Sequence, residues 1–482
     1  VKKFALALVV LLAAFAAAFA VQKKPPEVEV EIDMSPRPTD GKFLGSAIAK
    51  LQGHGQPGKP FLIWAIGSSY TNKLGDGSYV IEQLKKRFPN APEIVYKKNV
   101  GSAVPYDYIR GWVRQFVVFD QPDLVLCYAL GEPKYLDEML THLRTHTTAD
   151  IVIPSLHLRE ADKLDDASIN SKHWDEVRKV CEKHQVEFVE NRREWADYLK
   201  ANNLQIKDLL EDSVHQNARG ARLINMNIVR HFAECKEPAH KLADRERRHD
   251  LTGKTLPENV VLEGKWEKTE AGLVAREKDA RATITFTGNR LDLIGVRAED
   301  AGSLRIAIDG KPASETPAFA STIIIPAKGN AKPERGNVGD VSPHCVDLGK
   351  NLVPQTWTIR MTSDQGDYEL VGSITGNDGT GNNQKPFTSK SGQISIDPIL
   401  WRRSKYDKNT FSNKKGDSWT FDVKHTVLDK VSLRGKPGVA VEPLVQNLAN
   451  QKHVVEITTN GDGPVTLEAF YTFTPPLVPT VK

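Results

Sequence analysis

FLIWAIGSSYTNKLGDG, residues 61–77, passes from an apolar run (Phe61 to Ile66) through Gly67-Ser68-Ser69 into a Gly/Asn/Asp cluster. Such a change reads as a buried strand ending in a tight turn. Comparable runs recur downstream as EIVYKK (93–98), DLVLCYAL (123–130), DIVIPSL (150–156) and VEFVEN (186–191). Amphipathic stretches of helical length lie between them, including YVIEQLKKRF, YDYIRGWVRQFVVF, KYLDEMLTHLRTH, HWDEVRKVCEKH and REWADYLKAN. Apolar strands alternating with helices predict βαβ units, a parallel sheet and an α/β/α domain over residues 43–234.

The remainder of the chain has other textures. Lys2 and Lys3 precede an apolar run closed by Ala18-Phe19-Ala20, the order of a secretory signal peptide over residues 1–20. An exported protein, periplasmic or extracellular, is therefore expected, with no stable membrane insertion after signal cleavage. Residues 21–42 are Pro-rich and charged and read as a linker; 235–254 read as a charged linker or a solvated helix. Beyond them, RATITFTGNRLDLIGVRA, GSLRIAIDGKPA, QTWTIRMTS and HVVEITTNGDGPVTLEAFYTF alternate at period two between Gly/Asn/Asp turns. This texture predicts an all-β sandwich over 255–480, either one large jelly-roll-like unit or two modules at about 255–404 and 405–480. TWTIRMTSDQGDYELVGSITG and HVVEITTNGDGPVTLEAFYTF echo each other as strand, Gly-Asp turn, strand.

Composition narrows the function. With 482 residues and a net charge of only +4, no basic stripe invites nucleic acid. Cys127, Cys181, Cys235 and Cys345 fit no metal-binding spacing, so no metal is expected; Cys127 reads as a buried thiol, and one disulfide among the other three is compatible with export. GSITGNDGTGNN (372–383) offers Asn377, Asp378 and Asn383 but lacks a calcium loop's spaced acids, and reads as a hairpin turn. Trp64, Trp266, Trp357, Trp401 and Trp419 read as core residues and His157 as a solvated loop histidine.

Chemistry concentrates at two points. Ser69 follows the first strand, and LLEDSVHQNARGARLI (209–224) carries Asp212 and His215 three residues apart, ahead of a helix. Acyl transfer by serine needs a base, and an acid that fixes the base's tautomer. Ligands of an open parallel sheet bind beyond the carboxyl ends of its strands, where Ser69, Gly101 and Gly131 each follow a strand and Asp212-x-x-His215 lies in the last loop.

On these residues the segment 43–234 resembles the SGNH/GDSL-type hydrolases, esterases with a three-layer, flavodoxin-like α/β/α fold. Gly67-Ser68-Ser69 matches the nucleophile block, Gly101 in NVGSAV the second block, and Asp212-Ser213-Val214-His215, with Gly220 following, the last. The resemblance implies Ser69 as nucleophile, His215 as base and Asp212 as its partner, with the N–H groups of Ser69 and Gly101 as oxyanion donors. It requires no cofactor. Two positions depart from the pattern: Ser68 stands where the family has Asp, and Pro133, in Gly131-Glu132-Pro133-Lys134, where it has the oxyanion asparagine. Asn99 and Glu132 are the remaining candidates for contacting substrate. The expected function is a secreted serine esterase that removes O-acyl groups, acetyl foremost, from a polysaccharide or another acylated carbohydrate. A non-catalytic carbohydrate- or surface-binding protein with a degenerate hydrolase domain is the alternative, and a lipid or aryl esterase a further one.

Overall fold

The computed structural model describes residues 30–101, 104–233, 238–321, 325–326, 343, 345–349, 351–401 and 413–477. Residues 1–29, with the expected signal peptide, and Cys235 lie outside them. Among the described residues no helix is long and apolar enough to cross a membrane.

All five expected strands form: β1 (Phe61–Gly67), β2 (Ile94–Val100), β3 (Leu124–Tyr128), β4 (Asp150–Pro154) and β5 (Glu187–Val189). They pair in parallel in the order β2-β1-β3-β4-β5, the flavodoxin-like arrangement. β1, β3 and β4 are almost wholly buried because helices cover both faces, which is why they read as continuous apolar runs. The order reverses at β1, so the crevice opens beside its carboxyl end, where Ser69 begins the helix Ser69–Asn72. Cys127, Cys181 and Cys345 are buried free thiols.

Both expected linkers contain folded structure. Asp40 is buried with Arg230, its carboxylate accepting from Arg230 Nε at 2.7 Å, and the Glu187 carboxylate accepts from the Gly41 and Phe43 N–H groups. These bonds fasten residues 40–43 to the α/β domain. The stretch 235–254 holds the helix Pro238–Ala243 and the strand Glu246–Asp250, which pairs with Val465–Phe473. Its charges misled because several neutralise partners across the domain boundary: Arg245 meets Asp150 at 2.5 Å and Glu246 pairs with Lys50.

The β region is neither one continuous unit nor two modules in tandem. One core draws on residues from Leu251 to Ala318 and then on Val427 to Phe470; a second, from Val346 to Val423, lies between them in sequence. The second sandwich is therefore an insertion in the first. Strand Arg281–Gly288 pairs with Gln451–Thr459 across that insertion, a partnership that local alternation cannot reveal. The resemblance between the two hairpin-like stretches also ends here. Gln355–Met361 and Asp367–Gly372 pair as a hairpin, whereas Gln451–Thr459 and Val465–Phe473 enter different sheets. The turn expected over 372–383 is confined to residues 373–375; Gly376–Asn382 form a strand that returns along Asp367–Gly372.

Candidate active site

Gly67 closes β1 at φ +153°, and a Cβ there would stand 2.1 Å from Thr71 Oγ1 and 2.7 Å from the Tyr128 carbonyl. Only glycine lets the chain turn so tightly against β3. Ser68, buried, caps the short helix by accepting from the Tyr70 N–H at 3.3 Å. Ser69 is the first residue of that helix, and its N–H has no intrahelical partner.

The second component is the loop 210–217. An isolated bridge between Leu210 and Gln216 pinches it, and Asn217 caps the helix Ala218–Arg230 by accepting from the Gly220 N–H at 3.0 Å. A side chain at Gly220 would meet the Leu209 carbonyl and the Trp195 ring, each at 2.5 Å. Glycine therefore lets the helix start directly behind the loop.

The two components meet. Ser69 Oγ lies 2.8 Å from His215 Nε2, and His215 Nδ1 lies 2.7 Å from Asp212 Oδ2. Asp212 Oδ1 accepts from the N–H groups of Val214 and His215 at 2.8 and 2.7 Å. An acceptor at Nδ1 requires that nitrogen to carry the proton, which leaves Nε2 free to take the serine's. The sequence readings of Ser69, His215 and Asp212 thus converge on one hydrogen-bonded relay. Tyr70 packs beside it, its ring centroid 5.4 Å from that of His215.

Asp212 is held ionised by the His215 side chain first and then by the two backbone N–H groups, which lower its pKa from 3.8 to about 2. Its stabilising contribution is complete above its ordinary value and lost as pH falls towards the folded one. Protonation of Asp212 is therefore not expected to limit activity above its ordinary value of 3.8; following the Asp212 carboxyl carbon by NMR as pH falls checks that it stays ionised there.

The other predicted site residues have different roles in the fold. Gly101 does not offer a free donor: its N–H donates to the Gly67 carbonyl at 3.1 Å, extending the ladder between β1 and β2. Pro133 is the first residue of the helix Pro133–His146, where a missing N–H costs nothing and the fixed φ suits the turn. Glu132 precedes that helix and pairs with Lys134 at 3.2 Å, and Asn99 stands in β2 opposite Ile66. Neither observation ties them to a substrate. His157 is no solvated loop residue; it is fully buried, and Tyr128 Oη lies 2.6 Å from its Nδ1. Trp357, Trp401 and Trp419 are fully buried and Trp64 nearly so, while Trp266 packs against the first β core with its N–H turned to the Glu263 and Arg281 carbonyls. Sequence reasoning overlooked Tyr128, which reads simply as the last residue of an apolar strand.

No family model and no curated protein matches the chain. Among solved structures it is similar to a two-domain esterase (CEX) active on acetylated mannans, at 12% identity and TM-score 0.32, over 90% of this chain and 95% of that one. Axe2, an acetylxylan esterase from Geobacillus stearothermophilus, aligns at 15% identity and TM-score 0.32, over 37% of this chain and 96% of that one. LAE5, an alpha/beta hydrolase enzyme from the metagenome of Lake Arreo, Spain, aligns at 16% identity and TM-score 0.31, over 36% and 94%. At these TM-scores the likenesses carry no weight for what this chain does.

Proposed function

We propose that this chain is an exported serine ester hydrolase of the SGNH type that removes acyl groups, acetyl foremost, from a carbohydrate polymer. The observation that carries the reading is the assembled relay from Ser69 through His215 to Asp212, at 2.8 and 2.7 Å. Export rests on the leader-like residues 1–20. A polymeric substrate fits a relay near the surface, with the Asp212 side chain 49% exposed and that of His215 22%. An ester borne on a chain could approach such a site without being enclosed.

In this mechanism Ser69 Oγ attacks the acyl carbon while its proton passes to His215 Nε2, and Asp212 stabilises the imidazolium. The tetrahedral oxyanion faces the Ser69 N–H. His215 then protonates the departing sugar oxygen, which leaves as a hydroxyl, and an acyl-serine remains. A water molecule, deprotonated by His215, attacks the acyl carbon; as the acyl–oxygen bond to Ser69 breaks, His215 returns the proton to Ser69 Oγ and the acid is released. With Gly101 committed to the ladder and proline at position 133, oxyanion stabilisation is reduced. Each missing donor costs about a hundredfold to a thousandfold in rate, so slow turnover is expected.

The test is acetate release from acetylated mannan and acetylated xylan, together with hydrolysis of a chromogenic acetate. A fluorophosphonate should abolish both activities, and peptide mapping should find the adduct on Ser69. A chain that hydrolyses neither substrate and takes up no phosphonate refutes the reading. Retained binding to the polymers would then favour the non-catalytic alternative.

A further inference from the structure

Tyr128 ends β3, and its two ends reach the two halves of the relay. Its backbone carbonyl accepts from Thr71 Oγ1 at 2.6 Å, which fixes the helix that begins at Ser69. Its hydroxyl reaches His157 Nδ1 at 2.6 Å, and His157 Nε2 lies 3.0 Å from the Val214 carbonyl, one residue before the base. The order of donors is determined. Val214 offers only an acceptor, so Nε2 carries the proton, Nδ1 of the neutral ring accepts, and Tyr128 donates. Burial depresses the His157 pKa to about 3, which keeps the ring neutral across the working range.

The segment carrying His157 is itself anchored. Arg192 donates to the Leu156 and His157 carbonyls, each at 3.3 Å, and the His157 ring packs on Trp195 with centroids 4.7 Å apart. The same segment grips the base loop a second time, through the Glu160 N–H to the Ser213 carbonyl at 3.0 Å. Tyr128 and His157 are fully buried and touch neither Ser69 nor the His215 imidazole by hydrogen bond.

We infer that Tyr128 and His157 are positioning residues, a strut that sets the base loop against the nucleophile turn and so maintains the contact between Ser69 and His215. The inference rests on the ester-hydrolase reading for its kinetic expression, since the loop it holds bears the proposed base. Displacing a reacting group by about 1 Å costs on the order of a hundredfold in rate, which bounds what the strut contributes.

The experiment uses the full chain. Tyr128→Phe keeps the ring and the carbonyl that holds Thr71 and removes only the hydroxyl; kcat should fall about 10- to 100-fold with KM within about twofold. His157→Leu should match it, whereas His157→Gln, whose amide can donate to Val214, should recover a substantial part of the loss. Assays run well below each variant's melting temperature separate this outcome from simple destabilisation. Lower melting temperatures with kcat unchanged in the folded variants would overturn the inference. NMR of the proton between His215 Nδ1 and Asp212 gives a readout independent of turnover. If the unaltered chain is inactive, the hydrolase reading fails, while the strut stands or falls on whether that resonance broadens in Tyr128→Phe.

Discussion

Asp212→Asn is expected to lower kcat about ten-thousand-fold with KM little changed, and Ser69→Ala to leave no hydrolysis above background. The serine variant loses the atom that forms the acyl-enzyme. The effect of the amide comes from geometry. Asp212 Oδ1 accepts two backbone N–H groups, at 2.8 and 2.7 Å, so the oxygen of the replacement amide is drawn to that side. Its NH2 then takes the place of Oδ2, 2.7 Å from His215 Nδ1. An N–H donor facing Nδ1 forces the proton onto Nε2, and the base can no longer accept from Ser69. The loop keeps its backbone bonds, so stability should change little while catalysis collapses. Steady-state kinetics beside a melting curve checks both halves, and an Asp212→Asn enzyme within tenfold of the original would refute His215 as the base.

Lys50→Met is expected to destabilise the protein by about 3–5 kcal/mol, because it leaves two carboxylates buried without their cation. Lys50 Nζ donates to Asp123 Oδ1 at 2.7 Å and pairs with Glu246, and all three side chains are buried. Burial alone would lower the lysine pKa, yet Asp123 and Glu246 raise it, so the ammonium form is secured. Asp123 belongs to the α/β domain, whereas Glu246 begins the strand that joins the β-sandwich and accepts from Thr148 Oγ1 at 2.9 Å. The cluster therefore bolts the two regions together, with support from Asn289 Nδ2 to the His146 carbonyl at 3.0 Å and the Leu477 N–H to the Arg144 carbonyl at 3.0 Å. A fall in melting temperature on the order of 10 °C should follow. Removing all three charges, as Lys50→Met with Asp123→Asn and Glu246→Gln, should restore most of it, since no unpaired charge then remains buried. Scanning calorimetry distinguishes the outcomes. An unchanged melting temperature in the single variant would show that the cluster does not hold the interface.

The sequence alone was sufficient wherever the signal is local. Apolar runs of strand length separated by amphipathic helices announced the parallel sheet, because a strand buried on both faces must be apolar throughout. Ser69, Asp212 and His215 were legible for a related reason: a parallel sheet sends the loop after every strand to the same edge, so their positions in the pattern already implied a meeting. Whatever depended on partners distant in the chain was not legible. Charged residues 235–254 looked solvated because nothing nearby in sequence shows that Glu246 will meet Lys50. The β region looked serial because alternation states which face of a strand is buried but not which strand lies beside it. At the site, tertiary structure decided that the Gly101 N–H closes onto Gly67 and that Pro133 starts a helix. It also made His157, solvated by its local pattern, a buried link between Tyr128 and the base loop. Residue identity and spacing set the chemistry this chain can offer. Only the folded backbone determines which donors and acceptors are left over to perform it, because each hydrogen bond made within the fold removes one from the site.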